Sequence, residues 1–293
     1  MRITVVSGKG GVGKSMIASS LAILFSKKKD VIAIDCDVDA ANLALWLGID
    51  TAKSDASFEK KISTASKPYI DKDKCTSCGL CVKSCNFQAL TKDDSGKAEL
   101  ISYKCEGCGL CEEICPVKAI KLQKVNNCTL SHYKSEFGFP VIQGQIKPGE
   151  AESGEVVTKI REYADLLSKD DTYFIQDAAA GIGCPVIASV VGSDYVVAVA
   201  EPSKSSFSDV KRALEVVNQF KIPFGIVINK YDLNEKIYSE IKSFAGENYL
   251  GSISYDNCII KSIVELKAVL GNCSNISKQI KEIYENICKR LSK

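Results

Sequence analysis

The sequence predicts an α/β protein with a mostly parallel sheet, into which a small cysteine-rich α+β domain is inserted. Three observations carry this. Short apolar runs alternate with helical stretches at the start of the chain and again from about residue 172. A glycine-rich turn, GKGGVGKS at residues 8–15, follows the first run directly. Eight of the fourteen cysteines crowd into residues 75–115.

RITVVS reads as a buried strand, SMIASSLAILFSK has the apolar spacing of the helix that follows, and VIAID (31–35) is a second buried strand ending in carboxylates. Together they make a βαβ unit with parallel strands. The turn between them, Gly8 to Gly13 followed by Lys14 and Ser15, satisfies the P-loop pattern G-x-x-x-x-G-K-[ST]. Backbone N–H groups from Gly8, Gly10, Gly11, Val12 and Gly13, continued by Lys14, Ser15 and Met16 at the helix start, are expected to cradle phosphate. Lys14 reaches the outer phosphates and Ser15 ligates magnesium. Lys9 is surplus to that pattern.

After ANLALWLGI the rhythm stops, and residues 50–67 are polar and charged, as a connector is. It resumes with TYFIQD, DYVVAVAE, FGIVINK and YLGSIS as strands, separated by helical stretches such as SSFSDVKRALEVVNQF. The expected organisation is a split nucleotide domain, residues 1–68 and 125–293, with the insertion at 69–124.

The insertion contains a repeat: CTSCGLCVKSC from Cys75 and CEGCGLCEEICP from Cys105, each with C-x2-C-x2-C-x3-C spacing. Three closely spaced cysteines wrap one cubane, and the fourth reaches the other cluster. The crossed arrangement assigns Cys75, Cys78, Cys81 and Cys115 to one 4Fe-4S cluster and Cys105, Cys108, Cys111 and Cys85 to the other. Zinc binding is the competing reading, but zinc sites space their C-x2-C pairs differently. The whole insertion resembles bacterial two-cluster ferredoxins. It departs from them at Asn86, where that family has proline. Cys36, Cys128, Cys258, Cys273 and Cys288 read as small buried hydrophobes, and no structural disulfide is expected.

Residues 9–15, KGGVGKS, resemble the deviant loop K-G-G-x-G-K-[ST] of the MinD/ParA class of P-loop ATPases. The resemblance implies a nucleotide-sandwich dimer in which Lys9 crosses to the partner's phosphates. DCDVDAANL (35–43) is similar to the class's first switch segment, which implies that Asp37 positions the attacking water and Asp35 lies beside the magnesium shell. As helix caps, the alternative role for such carboxylates, Asp39 suits better than either. Asp177, ending YFIQD, looks like the carboxylate that holds magnesium through water. Ala178 to Ala180 stand where ferredoxin-bearing members carry glycine, serine or proline. Cys184 lies at the offset where the nitrogenase iron protein places one cysteine of its bridging cluster; a buried or gating thiol is the favoured alternative. In VINKYD, Asn229 and Asp232 resemble a guanine-reading motif, yet the MinD class contacts adenine with this asparagine. ATP is therefore preferred over GTP.

The formal charge of +2 gives no pull toward nucleic acid or an anionic membrane, so no nucleic-acid partner is expected. No apolar run approaches membrane-spanning length and the N-terminus lacks a signal-peptide pattern, so a cytoplasmic protein is expected. The last helix carries Ile276, Ile280, Ile283, Ile287 and Leu291 on one stripe; packing on its own sheet is preferred to a membrane tail. His132, the single histidine, reads as a surface or packing residue rather than a ligand.

The parts together imply a homodimeric or paralogue-paired ATPase, with ATP, magnesium and two 4Fe-4S clusters as cofactors. Its leading function is nucleotide-driven electron transfer to a redox partner. The alternatives are a carrier ATPase for iron-sulfur or metal-cofactor assembly, and a MinD-like positioning ATPase with redox-sensing clusters.

Overall fold

The computed structural model describes residues 1–150 and 153–292. The chain forms two compact units: Met1–Glu59 with Leu130–Gln145 and Ser153–Lys293, and Lys60–Thr129 with Ile146–Glu152. The second is wider than the 69–124 expected from sequence. Part of the supposed connector is strand within it, and Lys67 is tied by its ammonium to Ser102 and to Glu150 at 2.7 Å.

The first unit opens with β1 (Arg2–Ser7), α1 (Lys14–Ser26), β2 (Val31–Cys36) and the short α2 (Leu43–Trp46). Through β3 (Phe58–Ile62) the chain passes into the second unit. There it forms β4 (Ser66–Ile70), α3 (Leu80–Ser84), β5 (Leu90–Lys92), β6 (Ala98–Leu100), α4 (Leu110–Glu113) and β7 (Ile120–Lys124). It returns through β8 (Cys128–Lys134) and β9 (Pro140–Ile146) to α5 (Ser153–Leu167), β10 (Tyr173–Ala180), α6 (Cys184–Val190), β11 (Tyr195–Ala200) and α7 (Lys204–Gln219). The remainder is β12 (Phe224–Asn229), α8 (Glu235–Ala245), β13 (Tyr249–Ile253), α9 (Asn257–Val264), α10 (Val269–Asn272) and α11 (Ser274–Leu291).

The main sheet has the order β13-β12-β11-β1-β10-β2-β9-β8-β3, and the neighbours from β13 to β9 pair in parallel. A parallel strand covered on both faces needs apolar side chains on both, which is why β1 reads as a run rather than an alternation. Ile3 and Val5 enter one core with Met16, Ile17 and Leu21 of α1 and Ile276, Ile280, Ile283 and Ile287 of α11. Val6 enters the other, with Val210 and Leu214 of α7 and Ile241 of α8. The isoleucine stripe of the last helix is thus spent on its own fold, as the sequence favoured. Among the described residues no helix is long and apolar enough to cross a membrane.

The second unit is built on an internal two-fold relation. β4 and β7 pair antiparallel, as do β5 and β6. At positions thirty residues apart the backbone repeats its left-handed turns: Ser77 (φ 60) matches Gly107 (φ 67), Gly79 (φ 74) matches Gly109 (φ 82), and Gln88 (φ 52) matches Lys118 (φ 49). Gly79 and Gly109 each precede a short helix, α3 and α4. The stems after the helices end alike, with Cys85 Sγ accepting from Ala89 N–H at 3.3 Å and Cys115 Sγ from Ala119 N–H at 3.2 Å.

One sequence expectation fails here. Cys258 and Cys273 form a disulfide, with Cα atoms 5.8 Å apart, joining α9 to the residue before α11. Composition cannot reveal two cysteines fifteen residues apart brought face to face by a turn between helices. Cys36 and Cys128 are buried as expected, but Cys184 is exposed and Cys288 half-buried.

Candidate functional site

The P-loop joins β1 to α1, and two of its glycines are dictated by close packing. A Cβ on Gly8 would lie 2.1 Å from the backbone of Asp209 in α7. Gly13, with φ 95, leads into α1, and a Cβ there would lie 2.2 Å from Asn229 Nδ2. Asn229, at the end of β12, donates that amide to Val12 O at 2.7 Å, while its Oδ1 accepts from Lys230 N–H at 3.0 Å. Both ends of the side chain are engaged with main chain. The residue expected to contact a base therefore serves here as the brace of the loop, and Asp232, its partner in the motif, accepts from Tyr255 N–H at 2.8 Å. Met16 and Ser15 lie buried in the first turn of α1.

Lys14 is 7% exposed and its ammonium lies 2.5 Å from Oδ1 of the fully buried Asp177. Burial pulls the lysine down, but the charge and hydrogen bond of Asp177 outweigh it and leave its pKa raised. Asp177 Oδ2 is buried and has no hydrogen-bond partner among the described residues, a carboxylate oxygen that calls for a cation or a water on one.

On the neighbouring strand Asp35 is the direct register partner of Asp177. Its Oδ1 accepts from Asp37 N–H at 3.0 Å and its Oδ2 from Asn42 and Leu43 N–H, both at 2.8 Å. Asp35 is therefore the residue that caps the α2 segment, the part expected of Asp39, which is exposed. Burial, then the nearby Asp177 charge, pushes the Asp35 carboxyl up to about 7. Asp37 is half-buried and also raised, by burial first.

Lys9 is 46% exposed, with Nζ 3.6 Å from Glu201 Oε1. The other oxygen of Glu201 lies 3.1 Å from Lys230 Nζ, which also donates to Gly11 O at 3.0 Å. Sequence reading passed over Glu201 and Lys230. Lys230 sits inside the VINKYD motif and was open to notice, whereas nothing local marks Glu201, which ends a strand distant in sequence. β10 runs on through Ala180, with Ala178 and Ala179 buried. Cys184 starts α6, exposed, against Gly154 of α5. His132 is half-buried on β8, 3.5 Å from Tyr163 Oη, and burial lowers its pKa.

In the second unit two cavities lie among the cysteines. One is lined by Cys75, Cys78 and Cys81 together with Cys115 of the other repeat. The second is lined by Cys105, Cys108 and Cys111 together with Cys85, and Cys81 borders it too. Backbone N–H groups of Ala98 and Ser77, aided by Lys97 and Lys72, hold the Cys75 thiol below its ordinary value, while burial pushes Cys111 up to about 11. Among the described residues no three His, Cys, Asp or Glu side chains converge as ligands of a single metal ion do.

A parallel sheet with a glycine loop feeding a buried lysine, and an aspartate on the adjacent strand, defines a nucleotide-binding domain of the P-loop ATPase class. The chain belongs to the CobQ/CobB/MinD/ParA nucleotide-binding domain family, CbiA, which matches residues 3–269. It is 36% identical to MJ0578 of Methanocaldococcus jannaschii over 98% of this chain and 96% of that protein. A second relative in that organism, the ATP-binding protein MJ0823, is 29% identical over 97% and 96%. Among solved structures it resembles the septum site-determining protein MinD of Pyrococcus horikoshii, complexed with Mg-ADP (TM-score 0.62, 16% identity, 99% and 96% covered). At that identity the likeness speaks for the fold.

Proposed function

We propose that this ATPase couples a nucleotide cycle to electron transfer through two 4Fe-4S clusters held by the second unit. The observation that carries the reading is the exchange of fourth cysteines: Cys115 lines the cavity of the first repeat's triad and Cys85 that of the second's. Each thiolate of a cubane binds its own iron, so its ligands stand wider apart than those around one ion. The lack of a single-ion site among the described residues is compatible with that. When bound, each cluster supplies a one-electron couple.

The remaining roles fall to the chain's own groups. Loop amides and Lys14 bind the phosphates of ATP, a step that requires Lys14 to leave Asp177. Magnesium fits the residues present, since Asp177 carries a buried, unpartnered oxygen and Ser15 stands at the helix start. Ser15 would hold the ion and Asp177 its water, with Asp35, committed to capping, shaping the pocket by charge. Asp37 orients the attacking water. Lys9, loosely paired and exposed, reaches the phosphates of a second copy or of a paralogue. The occurrence of two relatives, MJ0578 and MJ0579, in one organism fits a paired arrangement.

A carrier role in cluster or metal-cofactor assembly is the second reading, favoured by one exposed thiol in each set, Cys78 and Cys108. A MinD-like positioning role is not proposed, because the apolar stripe of α11 is buried. The deciding experiment is anaerobic: reduced protein is followed spectroscopically with and without MgATP. A nucleotide-dependent change in potential or oxidation rate supports coupling. Intact passage of iron to an apo acceptor supports the carrier reading, and clusters indifferent to every nucleotide state sink both.

A further inference from the structure

The two repeats share backbone conformation position by position, so differences between equivalent side chains stand out against a constant frame. Several of them concern charge, and two of these reach the cavities among the cysteines. Lys92 of β5 and Leu122 of β7 occupy equivalent places, thirty residues apart. A Cβ on Gly79 would lie 2.9 Å from Lys92 Cε and 3.2 Å from its Nζ, whereas a Cβ on Gly109 would lie 3.4 Å from Leu122 Cδ1. Lys92 Nζ also donates to the carbonyl of Ser77, between the first two cysteines, at 3.4 Å. Likewise Thr76 follows Cys75 where Glu106 follows Cys105.

The consequence shows in the linings. Among the described residues, Lys92 is the only charged side chain lining the cavity of Cys75, Cys78, Cys81 and Cys115. Glu106 is the only one lining the cavity of Cys105, Cys108, Cys111 and Cys85. Of the further lysines near the first set, Lys72 is paired with Asp93 at 2.5 Å and Lys74 with Asp71 at 2.8 Å, while Lys97, which also acts on Cys75, adds to the same positive bias from outside the lining. Among the described residues neither Lys92 nor Glu106 takes part in such a pair. Reduction of a cluster adds a negative charge, which an ammonium beside it favours and a carboxylate opposes; net charge and hydrogen bonding around the sulfurs are established levers on cluster potential.

We propose that Lys92 and Glu106 split the two clusters in reduction potential, the set bound by Cys75, Cys78, Cys81 and Cys115 being the more readily reduced. The inference rests on the cluster reading above and adds an order to it. Both side chains are exposed, so the split is open to screening and narrows as salt is raised.

The test is a spectroscopic redox titration of the anaerobic full-length protein without nucleotide, alongside iron analysis. Each variant takes the residue the other repeat already accommodates: Lys92→Leu and Glu106→Thr, with Leu122→Lys as the gain-of-charge counterpart. The expected result is two one-electron waves at least tenfold apart in reduction equilibrium, ~59 mV. Lys92→Leu should lower the upper wave alone, and Glu106→Thr and Leu122→Lys should raise the lower wave alone. A single wave in the unmodified protein, or waves that ignore these substitutions or answer to the wrong ones, overturns the inference while leaving the clusters in place. Iron far below about eight atoms per chain would instead overturn the cluster reading.

Discussion

Lys14 and Asp177 form a buried pair 2.5 Å apart, and the second oxygen of that aspartate has no partner among the described residues. In the function proposed above, the lysine that meets phosphate is thus held in reserve on the carboxylate that meets magnesium. Removing one member strands the other's charge in the interior. Lys14→Ala should destabilise the nucleotide-free protein by about 3–5 kcal/mol in urea unfolding. MgATP should no longer raise its melting temperature. An unfolding curve unchanged from the parent would show the pair to be relaxed in solution.

Lys9 behaves differently because its contact with Glu201 is long and exposed. Lys9→Ala should change stability by no more than about 1 kcal/mol. If the lysine serves a neighbour's phosphates, ATP turnover should fall by at least about 100-fold, the loss expected for one transition-state donor. Binding of ATP, measured on the same preparation, should hold within a few-fold. Turnover equal to the parent's refutes the assignment.

The carboxyl of Asp35 sits at about 7 in the folded protein, above its unfolded value. A raised acid binds more protons folded than unfolded between about pH 4 and 7, so its contribution to stability declines as pH rises through that window. Asp35→Asn should flatten this part of the pH-stability curve in nucleotide-free protein. Parallel curves for the two proteins would mean that the carboxyl stays ionised throughout.

Asn229 spends both ends of its amide on main chain, so its loss should act through the loop rather than through the base. Asn229→Ala should cost about 1–3 kcal/mol by leaving a buried carbonyl unpaired. Competition binding should show ATP and GTP weakened by the same factor. A selective loss of ATP would restore the adenine contact that the sequence suggested.

The disulfide between Cys258 and Cys273 closes a loop with sequence separation 15. On chain-entropy grounds it contributes about 3 kcal/mol. Cys258→Ser, or added reductant, should lower the urea midpoint accordingly, and equal midpoints with and without reductant would count against the bond in solution.

Much of this was legible in the chain because the responsible interactions are local. The six apolar runs identified from sequence are β1, β2, β10, β11, β12 and β13; the first five are largely buried in the parallel sheet, and β13, at its edge, buries Leu250 and Ile253. GKGGVGKS announces its own turn, and the thirty-residue repeat announces the two-fold of the second unit. What escaped notice depends on distant partners. β8 mixes polar with apolar residues and β9 carries only the short run PVI before glutamine and glycine, so neither shows the long apolar run of a central strand. Asp35 rather than Asp39 caps the α2 segment because strand β2 ends where its carboxylate faces the N–H groups of Asn42 and Leu43, which spacing alone does not tell. The Asn229 brace depends on the proximity of the β12 end to Val12, 217 residues away.

The exchange of Cys85 and Cys115 between repeats also makes each half dependent on the other. Neither thirty-residue half possesses a full complement of four thiols for its own cavity, so excising one half would ruin both. The two halves therefore stand or fall together, because a deletion confined to one of them leaves a thiol missing from both cavities.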